Sequence, residues 1–348
     1  MQKREQGNDQ VKEMPKTQVP SALSRRTFGA AAVALALSTL PIATSAAQAQ
    51  TYPNRPVRVI LPFAAGGVAD ATARVVAEKL GDKLGQRFVV ENFPGPGGMA
   101  AARTALSGSP DGYILAMLTN GTAVSVPLFK SLSFDPLKDF VPISNLGNFD
   151  FIFATGAESG IKSLADFLKA SREKPGNLNV GTIAVGSTQN LSAELLKTTA
   201  KVDFQIVPYK TTPDLVIGTI RNDVQLMVDS YVAMKAPILD KKLVALASSG
   251  AVRSPVTPDL PTVKEAGGGD FEASSWNGLF APAGTPNEVI QLLNKSIRDV
   301  LADGEIKQRL LELGIEAAPS TPEELSARLR SDIVKWGKVI EQAKIPKQ

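Results

Sequence analysis

Two short segments concentrate the groups that could hold a ligand. Leu61-Pro62-Phe63-Ala64-Ala65-Gly66-Gly67-Val68-Ala69-Asp70 leads from a β-branched stretch into an alanine-rich one. Gly181-Thr182-Ile183-Ala184-Val185-Gly186-Ser187-Thr188-Gln189-Asn190 repeats the arrangement further on. Glycines at a strand-to-helix junction let the backbone approach a ligand and aim several N–H groups at one point, which favours an anion. Charge-assisted hydrogen bonds of that kind are worth roughly 1.5–3 kcal/mol each. Both segments also have a plainer reading as ordinary turns. Asp70 taken alone reads as an N-cap or first-turn acid, and Ser187 and Thr188 as caps of their own helix.

Three further junctions are weaker. Thr119-Asn120-Gly121-Thr122 either contacts ligand or merely turns. Tyr209-Lys210-Thr211-Thr212 offers Lys210 as a countercharge, although most such lysines are solvated. Asp229-Ser230 places an acid where it binds a ligand amine or caps the next helix.

What is missing narrows the chemistry. The 348 residues contain no histidine and no cysteine. That removes thiolate nucleophiles, disulfides, Cys/His zinc sites and any triad with a histidine base. Gly95-Pro96-Gly97-Gly98 lacks the G-x-G-x-x-G spacing of dinucleotide binding, and no P-loop occurs. Ser159–Lys162 and Ser171–Lys174 match S-x-x-K without the companion motifs. No carboxylates stand at calcium-loop spacing. The sequence offers a place to bind and no catalytic engine, no metal and no cofactor site.

The elements around these junctions alternate. Strands are expected over residues 57–61, 88–91 and 113–118, with helices over 70–84 (closed by Gly85) and 99–106 between them. The alternation restarts with a helix capped by Ser163, then strands over 178–182, 204–207, 225–228 and 243–247. Residues 271–281 read as a late strand, followed by helices starting near Pro286 and Thr321. Thr321, Pro322 and Glu324 make a strong helix start. This is an α/β chain of βαβ units with mostly parallel sheets flanked by helices. Two apolar extended segments, 149–154 and 271–281, separate the two sets. They point to two lobes joined by crossing strands, with the C-terminal helices packing back on the first lobe.

Residues 1–49 read as an address rather than as fold. A polar stretch ends in Ser24-Arg25-Arg26-Thr27-Phe28, an apolar run of about a dozen residues follows, and Ala47-Gln48-Ala49 supplies a small-residue cleavage pattern. The run falls short of the ~20 residues a membrane-spanning helix needs. The arginine pair fits a twin-arginine export signal, although a general secretory signal could carry it by chance. Cleavage near Ala49 would remove six basic and three acidic side chains and leave 32 against 31, so nothing calls for nucleic acid or an anionic membrane.

Longer motifs carry a resemblance. Tyr52-Pro53-Asn54-Arg55-Pro56-Val57-Arg58, Pro62-Phe63 with Gly66-Gly67 and Asp70, and Val90-Glu91-Asn92 with Pro94-Gly95 come first. Pro110-Asp111-Gly112-Tyr113, Val207-Pro208-Tyr209-Lys210 and Pro258-Asp259-Leu260-Pro261-Thr262-Val263 follow, then Ser275-Trp276 and Ala281-Pro282-Ala283-Gly284-Thr285-Pro286. Together they resemble the Bug-type solute-binding proteins of tripartite tricarboxylate transporters, over essentially the whole chain after residue 50. The resemblance implies a periplasmic two-lobed (Venus flytrap) protein, expected as a monomer. It would capture a small organic carboxylate with main-chain amides and hydroxyls and deliver it to membrane permease subunits. The lobes would be residues 50–150 with 276–348, and 151–275.

Carried over by position, the ligand-binding residues of lobe one are Ala65, Gly66, Gly67, Val68, Ala69 and Asp70, beside Phe63 and Asn120. Those of lobe two are Ser187, Thr188 and Gln189, beside Tyr209 and Asp229. The sequence departs from the family pattern at Ala64 and Ala65, where prolines are usual, at Ala69, where a hydroxyl is common, and at Asn190, where a histidine is common. A ligand sensor feeding a signalling partner is the alternative role, and neighbouring genes would separate the two. An enzyme using Asp70 or Asp229 as base lacks an activated nucleophile.

Overall fold

The structure, a computed structural model, describes residues 52–183 and 185–348. The expected export signal, with its cleavage near Ala49, lies outside the described residues. Among the described residues no helix is long and apolar enough to cross a membrane.

The chain opens as β1 (Val57–Leu61), α1 (Val68–Leu84), β2 (Phe88–Asn92), α2 (Met99–Leu106), β3 (Ile114–Thr119), α3 (Asn120–Leu128) and β4 (Phe140–Phe149). It crosses to β5 (Phe151–Gly156), α4 (Leu164–Glu173), β6 (Asn179–Ile183), α5 (Thr188–Ala200), β7 (Gln205–Tyr209), α6 (Thr212–Ile220), β8 (Leu226–Ser230), α7 (Tyr231–Leu239) and β9 (Leu243–Ser248). It returns as β10 (Ser275–Pro282), α8 (Asn287–Ala302), α9 (Gly304–Glu312), β11 (Glu316–Ala317) and α10 (Pro322–Gln342). Two sheets result, ordered β11-β4-β10-β3-β1-β2 and β7-β6-β8-β5-β9. The fold is two-lobed.

Local chemistry explains most element ends. Gly85 stops α1 in the left-handed conformation at φ 71°, and its N–H donates to the Gly81 carbonyl. Ser163 caps α4 by accepting from Asp166 N–H, and Thr321 with Glu324 forms a capping box on α10. The βαβ pairs β1–β2, β1–β3, β6–β7 and β6–β8 are parallel, as alternating strands and helices require.

The two crossing strands break the parallel pattern. β10 runs antiparallel to β3 and β4, and β5 antiparallel to β8 and β9. A strand arriving from the other lobe enters its new sheet at the edge where the neighbouring strands end. Phe151 at the start of β5 pairs with Ser230 at the end of β8, and Asn277 of β10 with Thr119 at the end of β3. The carboxyl edges of both sheets therefore lie at the crossings.

Several expected elements were incomplete. α3, α9 and the ten-residue β4 are additional, and the late strand begins at Ser275 rather than 271. Residues 271–274 instead sink Phe271 and Ala273 into the core, where Phe271 meets Phe153 edge-on at 5.7 Å. α8 packs on α1 and β4, and α10 on α3 and β4; α10 also reaches α5.

Candidate functional site

At the end of β1, Phe63 is 41% exposed and the chain turns through Gly66 at φ +90° into α1. Gly67 is the N-cap, with no side chain to satisfy the first amides of the helix. Asp70 sits three residues into α1 and folds back: its Oδ2 accepts from Gly66 N–H at 2.9 Å and from Arg74 Nε at 3.0 Å. Its Oδ1 accepts from Asn92 Nδ2 at 3.0 Å and lies 2.9 Å from an Arg74 terminal nitrogen. Asn92 also donates to the Phe63 carbonyl at 2.9 Å and accepts from Arg74 at 3.1 Å.

Burial alone would raise the Asp70 pKa, but hydrogen bonds from Arg74, Gly66 and Asn92 and the Arg74 charge outweigh it and hold the carboxyl below its ordinary value. Asp70 is thus neither the N-cap nor a free acid. It is a clasp that shapes the loop and occupies the Gly66 amide, leaving the helix-start amides of Val68 and Ala69 without intrahelical acceptors.

The end of β6 is built the same way. Gly186 turns at φ +79°, Ser187 is the N-cap of α5, and Asn190, three residues in, accepts from Gly186 N–H through Oδ1 at 3.0 Å. The Ser187 hydroxyl accepts from Asn190 N–H at 3.1 Å, so it caps the helix, as the plainer reading of the sequence has it. Asn190 replaces the charged clasp with a neutral one. At this junction Thr188 and Gln189 are the helix-start residues whose amides lack intrahelical acceptors.

Asn120 ties the start of α3 to the start of α5. It is fully buried at the start of α3, donates from Nδ2 to Thr188 Oγ1 at 3.3 Å and accepts from Trp336 Nε1 of α10 at 2.7 Å. Its side chain is committed to bridging the lobes. Phe63 stands over the same corner, 3.7 Å from where a Cβ on Gly121 would lie.

Asp229, at the end of β8, is 3% exposed. It accepts from Gln189 Nε2 at 3.2 Å, Ser230 N–H at 2.7 Å and Thr212 Oγ1 at 2.8 Å, tying together the starts of α5, α6 and α7. Tyr209 is not drawn to this edge. Its hydroxyl is directed at Gly218, near the far end of α6, where a Cβ would come within 2.3 Å of it. Burial and then the Asp223 charge raise its pKa. It packs lobe two, and Lys210 beside it is exposed.

Sequence reasoning missed Arg74 and Asn92. Arg74 stands four residues after Asp70, the spacing of a helical ion pair, and was the available signal. Two surface hollows, of about 440 and 230 Å³, lie at the C-terminal end of α1 and beside α10, away from both junctions.

Comparison with known proteins agrees with this architecture. Residues 72–345 match the tripartite tricarboxylate transporter family receptor profile. The structure of Rpa4515 from R. palustris with adipate is 31% identical, with a TM-score of 0.76 over 85% of this chain and 99% of that one. MatC from Rhodopseudomonas palustris with bound malate is 32% identical, with a TM-score of 0.70 over 83% and 100%. Protein BugT of Bordetella pertussis is 30% identical over 84% of this chain and 91% of its own length. The chain belongs to the tripartite tricarboxylate transporter receptor family, as a Bug-type member.

Proposed function

We propose that this chain is an extracytoplasmic receptor that captures a small organic carboxylate between its lobes and hands it to membrane permease subunits of a tripartite tricarboxylate transporter. The lobes are taken as residues 50–150 with 276–348, and residues 151–275. The observation that supports the reading is a helix start with unshared amides at the carboxyl edge of each sheet, α1 at Gly67 and α5 at Ser187, with Asn120 of the first sheet's edge bonded to Thr188 of the second's. Oriented amides and helix dipoles favour negative charge at both starts.

In this reading the amides of Gly67, Val68, Ala69, Thr188 and Gln189 grip the anion, the Thr188 hydroxyl donates to it, and Phe63 covers it. Asp70, Asn190, Asn120 and Asp229 hold the cradle in shape. The malate in MatC and the adipate in Rpa4515 support an acid as ligand. An export signal over residues 1–49 would place the mature receptor in the periplasm.

Equilibrium binding and thermal shift with a panel of small carboxylates, malate and adipate first, test the proposal. Ligand at a hundred times Kd stabilises the folded state by about 2.7 kcal/mol. Absence of stabilisation by every acid in the panel at millimolar concentration would count decisively against it.

A further inference from the structure

Each crossing between the lobes passes through a single residue that pairs with neither sheet. On the lobe-one side β4 and β10 pair up to Phe149 and Ser275. On the lobe-two side Ser249 holds both segments: its Oγ accepts from Phe151 N–H at 2.8 Å and donates to the Ala273 carbonyl at 3.1 Å. Between these anchors stand only Asp150 in one crossing and Ser274 in the other. They are the hinge.

α10 lies across it. Arg328 donates to Asn148 Oδ1 at 2.9 Å beside the first crossing and to Ser274 Oγ at 3.4 Å in the second, with its guanidinium 5.9 Å from the Trp276 ring centroid. Asp332 accepts from Trp276 Nε1 at 2.6 Å, and Lys335 pairs with Glu272, whose other oxygen accepts from the Ser274 hydroxyl at 2.7 Å. Two turns beyond Arg328 on the same helix, Trp336 donates to Asn120, the residue that reaches Thr188 across the lobes.

We propose that α10 is a hinge clamp, and that Arg328 is a positioning residue that sets the angle between the lobes and so the fraction of molecules ready to bind. It touches no ligand. A rigid helix links the two crossings at one end to the interlobe bridge at the other, so loosening the first spreads the second. The effect on binding rests on the receptor reading; the effect on lobe geometry does not.

The chain has no cysteine, so Lys174→Cys in lobe two and Lys307→Cys in lobe one give a clean pair for spin labels. Both positions are exposed. Pulsed dipolar distances would be measured in this background with and without Arg328→Gln and Arg328→Lys, together with malate and adipate affinities. Arg328→Gln should broaden the interlobe distance distribution and weaken acid binding about tenfold, through loss of the competent population. Arg328→Lys, which keeps the charge without the fork, should fall between.

An unchanged distribution in folded Arg328→Gln overturns the proposal. Should that variant fail to fold, Ser274→Ala removes the Arg328 contact at the second crossing together with the Ser274–Glu272 bond, and must broaden the distribution in the same direction; a distribution like the parent's overturns the clamp equally. If neither acid binds even the parent, the receptor reading fails while the distances still decide the clamp.

Discussion

Gly66 and Gly67 are neighbours in one loop, and the structure asks different things of them. Gly66 has φ +90° and open space where a Cβ would go, so Gly66→Ala meets no steric neighbour. Its cost is the left-handed backbone, about 1–2 kcal/mol for an L-residue. Relaxing to negative φ offers no escape, because it pulls the N–H off Asp70 Oδ2, 2.9 Å away, and forfeits a charge-assisted hydrogen bond of roughly 1.5–3 kcal/mol. Gly67 has φ −85° and ψ 176°, which any residue adopts, and its Cβ direction is also empty. Gly67→Ala should be neutral, or stabilising by about 0.4–1 kcal/mol through the unfolded chain.

Binding should invert the order for a larger side chain. Gly67→Leu keeps the fold and screens the first amides of α1, so it should weaken acid binding more than Lys210→Ala, which removes an exposed ammonium. Thermal melts separate the two alanine variants, and calorimetric titration with malate and adipate separates Gly67→Leu from Lys210→Ala. Equal melting temperatures for Gly66→Ala and Gly67→Ala would refute the backbone reasoning. Loss of binding in Lys210→Ala with full affinity in Gly67→Leu would refute the amide cradle.

Gly186→Ala should destabilise more than Gly66→Ala, because it adds to a φ of +79° a Cβ only 2.3 Å from Leu128 Cδ2 in α3; equal melting temperatures would contradict this. Burial first, then the Glu272 and Glu316 charges, push Asp150 up to about 6, only partly offset by its hydrogen bond from Ser248 and the Arg328 charge. A carboxyl whose folded pKa is raised costs stability as pH rises from its unfolded value to its folded one, and the cost then stays constant. Asp150→Asn should therefore be more stable than the parent at pH 8, by at most about 3 kcal/mol at 1.36 per unit, with the difference vanishing near pH 4. A pH-independent difference in urea melts would sink that account. Tyr209→Phe should leave acid affinity unchanged, since the hydroxyl faces Gly218, and a tenfold loss in titration would return Tyr209 to the site. In the proposed cradle amides rather than exposed cations grip the anion, so affinity should vary little between about 0.05 and 0.5 M salt, whereas a steep salt dependence measured by calorimetry would point to side-chain countercharges.

Most of the regular elements were legible because their signals are local. Short apolar runs marked β1, β6 and β8, and the cap Thr321-Pro322-Glu324 marked α10. The hidden elements carry contrary signals. α3 holds Gly121 and Pro127, and its capping box uses Thr122 where a glutamate is usual; β4 holds Pro142, Asn145 and Gly147; α9 begins at Gly304. Each is fixed by tertiary contacts that outvote propensity. At the site, sequence located the helix starts but not the direction of the side chains. Tyr209 stands next to a junction in sequence yet points into its lobe. The bond between Asn120 and Trp336 joins residues 216 positions apart, a pairing no spacing rule reaches.

The two junctions share one device that explains why their glycines matter. In each, a glycine with positive φ stands just before the N-cap and gives its N–H to the side chain at the third helical position, Asp70 in one and Asn190 in the other. The clasp holds the turn in the one conformation that leaves the next amides pointing outward. It differs from a capping box, in which the third residue reaches only to the N-cap, as Glu324 does to Thr321 N–H. The choice of acid or amide has a consequence. Asp70 puts a negative charge beside the α1 amides and must be neutralised, which Arg74 does at 2.9 Å, with Asn92 fixing both. Asn190 adds no charge and needs no partner of that kind, but Asp229 stands nearby, held by Gln189, Thr212 and Ser230 rather than by a cation. Both lobes therefore spend donors on internal carboxylates before any ligand arrives. The proposed cradle leaves an anion a small set of backbone N–H groups, in turns held by the clasps, and the Thr188 hydroxyl. Affinity then depends on how rigidly the cradle is held, more than on how much charge lines it.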